Sequence, residues 1–165
     1  MTDSLARLAD KHEITEVIHR LARGLDRCDE DLLRESFHPG ATDDHGAFVG
    51  TAEGYIAWVL PMLATFERTQ HFVTNILVEV EGERAFTESH FQAWRRVVED
   101  GAAVDQITAG RYLDRFEKRE GSWAIVHRRA IRDWTHRRLC DRPESTHSRR
   151  DGADPSYIDR DEFLG

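Results

Sequence analysis

The chain has 165 residues, 39% of them hydrophobic and 33% charged, with a formal net charge of -8. That length suits one domain with a single sizeable core, and the negative balance argues against a nucleic-acid partner held through its phosphates. No apolar run reaches the roughly 18 residues of a membrane-crossing helix. The polar, acidic first ten residues have no signal-peptide pattern, so the expected location is cytoplasmic. Cys28 and Cys140 are the two cysteines, too few for a disulfide framework or a zinc site of their own.

The first predicted element is a helix. Leu5, Leu8, Ile14, Val17, Ile18, Leu21 and Leu25 recur at three- and four-residue steps, which makes one apolar stripe. Asp3 or Ser4 can cap its start, and the polar run from Asp26 to Asp31 ends it. A short second helix follows, with Asp29 as N-cap and Leu32, Leu33 and Phe37 as its apolar face, stopped by His38, Pro39 and Gly40. Residues 41–50 are short, Gly-rich and polar, the pattern of an edge strand or a loop. Thr51 can cap a third helix carrying Ile56, Val59, Leu60, Leu63 and Phe66, and Pro61 inside it is expected to kink or split it.

From Thr69 the period changes. Residues 72–81, 84–99, 104–118 and 122–136 are rich in Val, Ile, Thr and aromatics, and Gly82, Asp100-Gly101 and Glu120-Gly121 punctuate them at hairpin spacing. Four long antiparallel strands after three helices make an α+β domain: a cone-shaped barrel, with the helices over the concave face of a strongly curved antiparallel sheet. The domain is expected over residues 1–135. Residues 136–165 form a polar C-terminal extension, expected to dock on the domain or on a partner subunit through Tyr157, Ile158, Phe163 and Leu164.

Three stretches agree in order and spacing with one family: Gly24-Leu25-Asp26-Arg27-Cys28-Asp29, Thr69-Gln70-His71-Phe72-Val73-Thr74-Asn75, and Gly110-Arg111-Tyr112-Leu113-Asp114-Arg115-Phe116-Glu117 followed by Gly121-Ser122-Trp123. The chain resembles the SnoaL-like branch of the nuclear transport factor 2-like superfamily over roughly residues 5–135. The superfamily holds dehydratases, isomerases, a dehydrochlorinase, polyketide cyclases, dioxygenase β-subunits and non-catalytic members, so the fold by itself does not name a reaction.

The resemblance implies a catalytic dyad. In the dehydratase and dehydrochlorinase members, an Asp after the first helix and a His opening the first long strand meet inside the cone. The matching residues are Asp26 and His71. An imidazole is a base near neutrality, and a carboxylate on its other nitrogen fixes the tautomer and stabilises the imidazolium. By resemblance to the bile acid dehydratase, Arg132 on the last strand is the third catalytic candidate, an anchor for an oxyanion or carboxylate. Strand alternation puts it on one face with Arg128, Ala130 and Trp134. Leu21, Trp58, Met62, Phe91, Ala93, Tyr112 and Trp134 are the candidate substrate-binding residues.

Leu21 and Ala93 depart from the family pattern. Leu21 stands where the dehydratases carry Tyr and the dehydrochlorinase Lys, and Ala93 where the bile acid dehydratase has Asp. Both departures remove a polar group that could act on a leaving group, and Tyr55, Tyr112, His90 or a water are left as substitutes. No metal-ligand spacing, phosphate loop or nucleophile elbow is present.

The expectation is a cofactor-independent lyase or isomerase using His/Asp proton transfer on a small, hydrophobic, cyclic substrate. The alternative is a non-catalytic subunit or ligand carrier, such as a dioxygenase β-subunit-like scaffold. A homodimer or higher homo-oligomer is expected through the helix-free sheet face, where Phe86, His90, Trp94, Arg129 and Ile131 lie.

Overall fold

Helix α1 spans Thr2–Arg27 and buries Ile14, Val17, Ile18, Leu21 and Leu25 at the predicted helical spacing. This architecture comes from a computed structural model that describes residues 2–140 and 148–164. The apolar stripe is shorter than expected: Leu5 and Leu8 are both 64% exposed, because at 3.6 residues per turn they fall on the side of α1 away from Ile14, Ile18 and Leu21. The helix ends with Cys28 in the left-handed region (φ 51°). There the Asp29 N–H donates to the Gly24 carbonyl at 2.9 Å and the Cys28 N–H to that of Leu25 at 3.5 Å, a Schellman-type stop without glycine.

Helix α2 (Glu30–Glu35) starts on the predicted Asp29 cap, whose carboxylate accepts from the Leu32 N–H at 3.1 Å. It packs close to α1 over Gly24, where a Cβ would lie 2.8 Å from Leu33 Cδ2. Strands β1 (Phe37–Asp44) and β2 (Val49–Thr51) follow, so α2 ends before Phe37, which was expected on its apolar face, and Phe37 to Gly40 are already strand. Helix α3 (Ala52–Ala64) is capped by Thr51 and runs through Pro61 without splitting.

The four long strands are β3 (Arg68–Glu81), β4 (Arg84–Glu99), β5 (Ala102–Arg119) and β6 (Ser122–Leu139). They form an antiparallel meander. Asp100, Gly101, Glu120 and Gly121 all have positive φ, as tight two-residue hairpin turns require. The full strand order is β2-β1-β6-β5-β4-β3. One pair departs from the all-antiparallel expectation, since β1 lies parallel to β6. A parallel neighbour needs a long crossover, and here the chain from α3 to β5 supplies it.

Helix α1 packs on β3 and β6, and α3 on β1 and β2. Both add to a core with Tyr55, Ile56, Val59, Phe116, Trp123 and Ile125. Through the sheet runs a buried ion pair. The Arg128 guanidinium on β6 donates twice to the Asp114 carboxylate on β5, both at 2.7 Å; the side chains are 3% and 0% exposed. Burial opposes the Arg128 charge, but Asp114 outweighs it and holds the guanidinium's pKa above its ordinary value. Among the described residues no helix is long and apolar enough to cross a membrane.

Strand β6 continues past residue 135 to Leu139, so the start of the extension is part of the sheet. Residues 141–147 of the extension lie outside the described residues. Beyond them α4 (Pro155–Leu164) begins at Asp154, whose carboxylate accepts from the Ser156 N–H at 3.1 Å and the Arg149 N–H at 2.9 Å. The Ser156 hydroxyl, which also donates to Asp154, and these backbone contacts pull the Asp154 pKa down to about 2.

The extension docks through polar groups rather than through its apolar residues. Ile158, Phe163 and Leu164 are exposed, while the Tyr157 hydroxyl donates to Asp29 at 2.6 Å beneath the Arg23 guanidinium. Arg150 donates to the carbonyls of Asp26, Leu63 and Phe66 at 3.2, 2.7 and 2.9 Å. It thereby adds a charged donor to carbonyls where α1 and α3 end.

Asp114→Asn removes the carboxylate that is bonded twice to the buried Arg128 guanidinium and leaves only unbonded Asp43 beside that charge, an expected loss of about 3–5 kcal/mol in urea unfolding. Replacing both residues with apolar side chains of similar volume is expected to restore much of that loss. Equal damage from the single and double replacements would contradict this account.

Candidate active site

The stop of α1 places Asp26 in its last turn, beside the start of β3. Three donors converge on its carboxylate. The His71 backbone N–H reaches Oδ2 at 2.9 Å, His71 Nδ1 meets Oδ1 at 2.7 Å, and the Thr69 hydroxyl donates to Oδ1 at 3.2 Å. The His71 and Asp26 side chains are 10% and 13% exposed. Burial works to raise the Asp26 pKa, but the His71 bonds and charge, with Thr69, overcome it and hold the carboxyl below its usual range. With Nδ1 bound to an anionic oxygen it carries the hydrogen, and Nε2 is left as the ring's free base.

His71 lines a cavity of about 430 Å³ between the helices and the concave face of the sheet. The strand register explains its walls. His71, Ala93 and Thr108 form one row across β3, β4 and β5, and Val73, Phe91, Gly110 and Arg132 form the next, extending to β6. Helix α3 supplies Trp58 and Met62, and β5 adds Tyr112, stacked on Phe91 with centroids 4.3 Å apart. Trp58, Met62, Phe91, Ala93, Tyr112 and Arg132 therefore all line the cavity.

Leu21 and Trp134 do not. Leu21 is fully buried in the core beneath α1. Trp134 is 49% exposed, because the β5–β6 register shifts between the Gly110–Arg132 and Ala109–Trp134 pairs. The extra residue, Asp133, reverses the alternation and turns Trp134 to the convex face. A Cβ on Gly110 would lie 1.9 Å from the Ile131 carbonyl oxygen, so the shift requires glycine at that position. His90, considered as a substitute acid, is exposed on the convex face.

Sequence reasoning missed His45. It follows β1, lines the same cavity, stacks on Tyr55 with centroids 4.5 Å apart and bonds through Nδ1 to buried Asp43. An Asp-x-His spacing was its only signal, and a polar turn gives no period to read. Tyr55 and Tyr112 are deep in the site. Burial pushes the Tyr55 pKa well up, and lifts that of Tyr112 to about 12 against the pull of Arg128.

A family profile described as SnoaL-like domain matches residues 6–129. The chain belongs to the SnoaL-like family. Similar solved structures include the Kfla4162 protein from Kribbella flavida, with 20% identity and a TM-score of 0.72, covering 79% of this chain and 95% of that one. A scytalone dehydratase-like protein from Novosphingobium aromaticivorans shares 24% identity at a TM-score of 0.71, covering 87% and 100%. The hexachlorocyclohexane dehydrochlorinase LinA-type3 from Novosphingobium barchaimii shares 18% at 0.72, covering 87% and 98%. At these identities the likeness establishes the fold. No curated protein sequence matches at a significant level. This SnoaL-like chain thus shares its architecture with lyases and with proteins of unknown function.

The lowered Asp26 pKa has a signed consequence. Its stabilising contribution is complete above the unfolded carboxylate's pKa of about 4 and is lost as pH falls through the lower folded value. In Asp26→Asn, stability is therefore expected to fall less steeply than in the parent protein as pH drops below about 4. Parallel acid limbs in the two denaturation profiles would contradict the assignment.

Proposed function

We propose that the protein is a cofactor-independent lyase or isomerase in which His71 removes a proton from a small, largely hydrophobic, cyclic substrate. The observation that carries this reading is the Asp26–His71 contact at 2.7 Å, on the wall of a cavity of about 430 Å³. Nε2 of His71 takes a proton next to a carbonyl. Asp26 holds the ring and offsets the imidazolium charge, an interaction strengthened in a cavity sheltered from water. Arg132, on the same wall, is an anchor for the developing enolate oxygen or for a substrate carboxylate. Phe91, Tyr112, Trp58 and Met62 give the site its affinity for an apolar ring. The alternative, a carrier or scaffold subunit, leaves a buried and fully oriented histidine base without a use.

We further propose a homodimer or higher homo-oligomer through the convex sheet face, where Phe72, Phe86 and Trp134 are exposed. Light scattering should then give a mass above one chain at micromolar concentration, and Phe86→Glu should lower it. A stable monomer would reject the assembly.

The catalytic test follows deuterium uptake from heavy water next to the carbonyl of simple cyclic ketones. His71→Ala should slow uptake by about 10²–10⁴-fold with the fold intact, and Asp26→Asn should slow it less. Uptake that is unchanged in His71→Ala would refute the reading.

A further inference from the structure

We propose that His45, held by Asp43, is the general acid of this site and delivers a proton to the departing group while His71 takes the first proton. The proposal rests on the lyase reading above and deepens it, since the family's usual acid positions are Leu21 and Ala93 here.

The two histidines reach the cavity from opposite sides. His45 follows β1, next to the β2 edge of the sheet, and His71 lies on β3, the other edge. Curvature brings both onto one cavity. A ring bound between them has a base on one side and a proton source on the other, the arrangement that an elimination needs.

His45 is built as an acid is built. Nδ1 is bonded to Asp43, and the ring lies flat against Tyr55 at an interplanar angle of 19°. Nε2 is 3.4 Å from the Tyr55 hydroxyl, a long contact that leaves it open to a substrate. The Asp43 side chain is wholly buried, and its Oδ2 has no hydrogen-bond partner among the described residues. Behind it, Arg128 is the register partner of both Asp43 and Asp114. Two buried carboxylates thus face one guanidinium, and the His45 ring is the further group bonded to the Asp43 carboxylate.

The neighbouring hydroxyls are poorer donors. Burial raises the pKa of Tyr55 and of Tyr112, the latter to about 12.

For a β-hydroxyketone the step balances as follows. Nε2 of His71 takes the proton next to the carbonyl, and the C–H electron pair becomes the new C=C bond. The C–O bond breaks, and the hydroxyl leaves with its electron pair and takes the Nε2 proton of His45, departing as water. His71 then loses a proton to solvent and His45 regains one.

Three probes separate the roles: cyclohexanone for deuterium uptake, β-hydroxycyclohexanone for dehydration, and β-acetoxycyclohexanone, whose acetate leaves without being protonated. His45→Gln is expected to lower the ratio of dehydration to uptake by about 10²-fold or more. The ratio of acetate loss to uptake should stay near the parent's, and His71→Ala should lose all three. Measurable uptake by His45→Gln reports that the site is folded. The acid role is overturned if His45→Gln dehydrates like the parent, if it loses uptake and dehydration together, if acetate loss falls as far as dehydration, or if the parent takes up deuterium but does not dehydrate. Absence of uptake by the parent would instead overturn the lyase reading itself.

Discussion

A row of buried polar and charged side chains across the sheet organises the interior. Thr87 on β4, Asp114 on β5, Arg128 on β6 and Asp43 on β1 are successive register partners. Arg128 is bonded twice to Asp114 and lies 4.1 Å from the Tyr112 ring centroid. Charges this deep are tolerated only when compensated, so the row fixes how β1 sits against β6 and where Tyr112 stands. Those two placements define one side of the cavity, and the end of α1 with its Asp26–His71 bond defines the other.

Much of this was legible in the sequence, for identifiable reasons. Helix periodicity found the buried stripe of α1 from Ile14 to Leu25, and glycine-containing turns found the meander. Asp26 and His71 came from a family resemblance rather than from spacing, because the bond that joins them is a tertiary contact 45 positions apart. Alternation failed at Trp134, since a one-residue bulge has no compositional mark other than Gly110. It also failed to show the parallel place of β1, a strand too short and polar to display a period. His45 was lost for the same reason, as its role follows from where β1 pairs.

The extension inverts a common expectation about tails. Its exposed leucine, isoleucine and phenylalanine contribute little to docking, whereas one arginine contributes a great deal. Arg150 gathers the terminal carbonyls of α1 and α3 and touches the Cys28 sulfur at 3.1 Å. Burial lowers the pKa of that guanidinium, the electrostatic cost of using it as an internal fastener. The two helices it joins carry Asp26 and the Trp58–Met62 wall, so a segment beyond the family's matched residues braces the frame of the cavity.

The parallel pairing of β1 with β6 also dictates an order of assembly. Thr42 on β1 bonds to His127 on β6 across 85 positions of chain, whereas β3 to β6 close through short hairpins. Closing so long a loop carries a larger entropic cost than closing a hairpin. During synthesis β1 emerges early and has only the short β2 to pair with until β6 has left the ribosome. The meander can form around its own register, but the His45 side of the cavity is completed last, so the protein acquires its shape before it acquires its site.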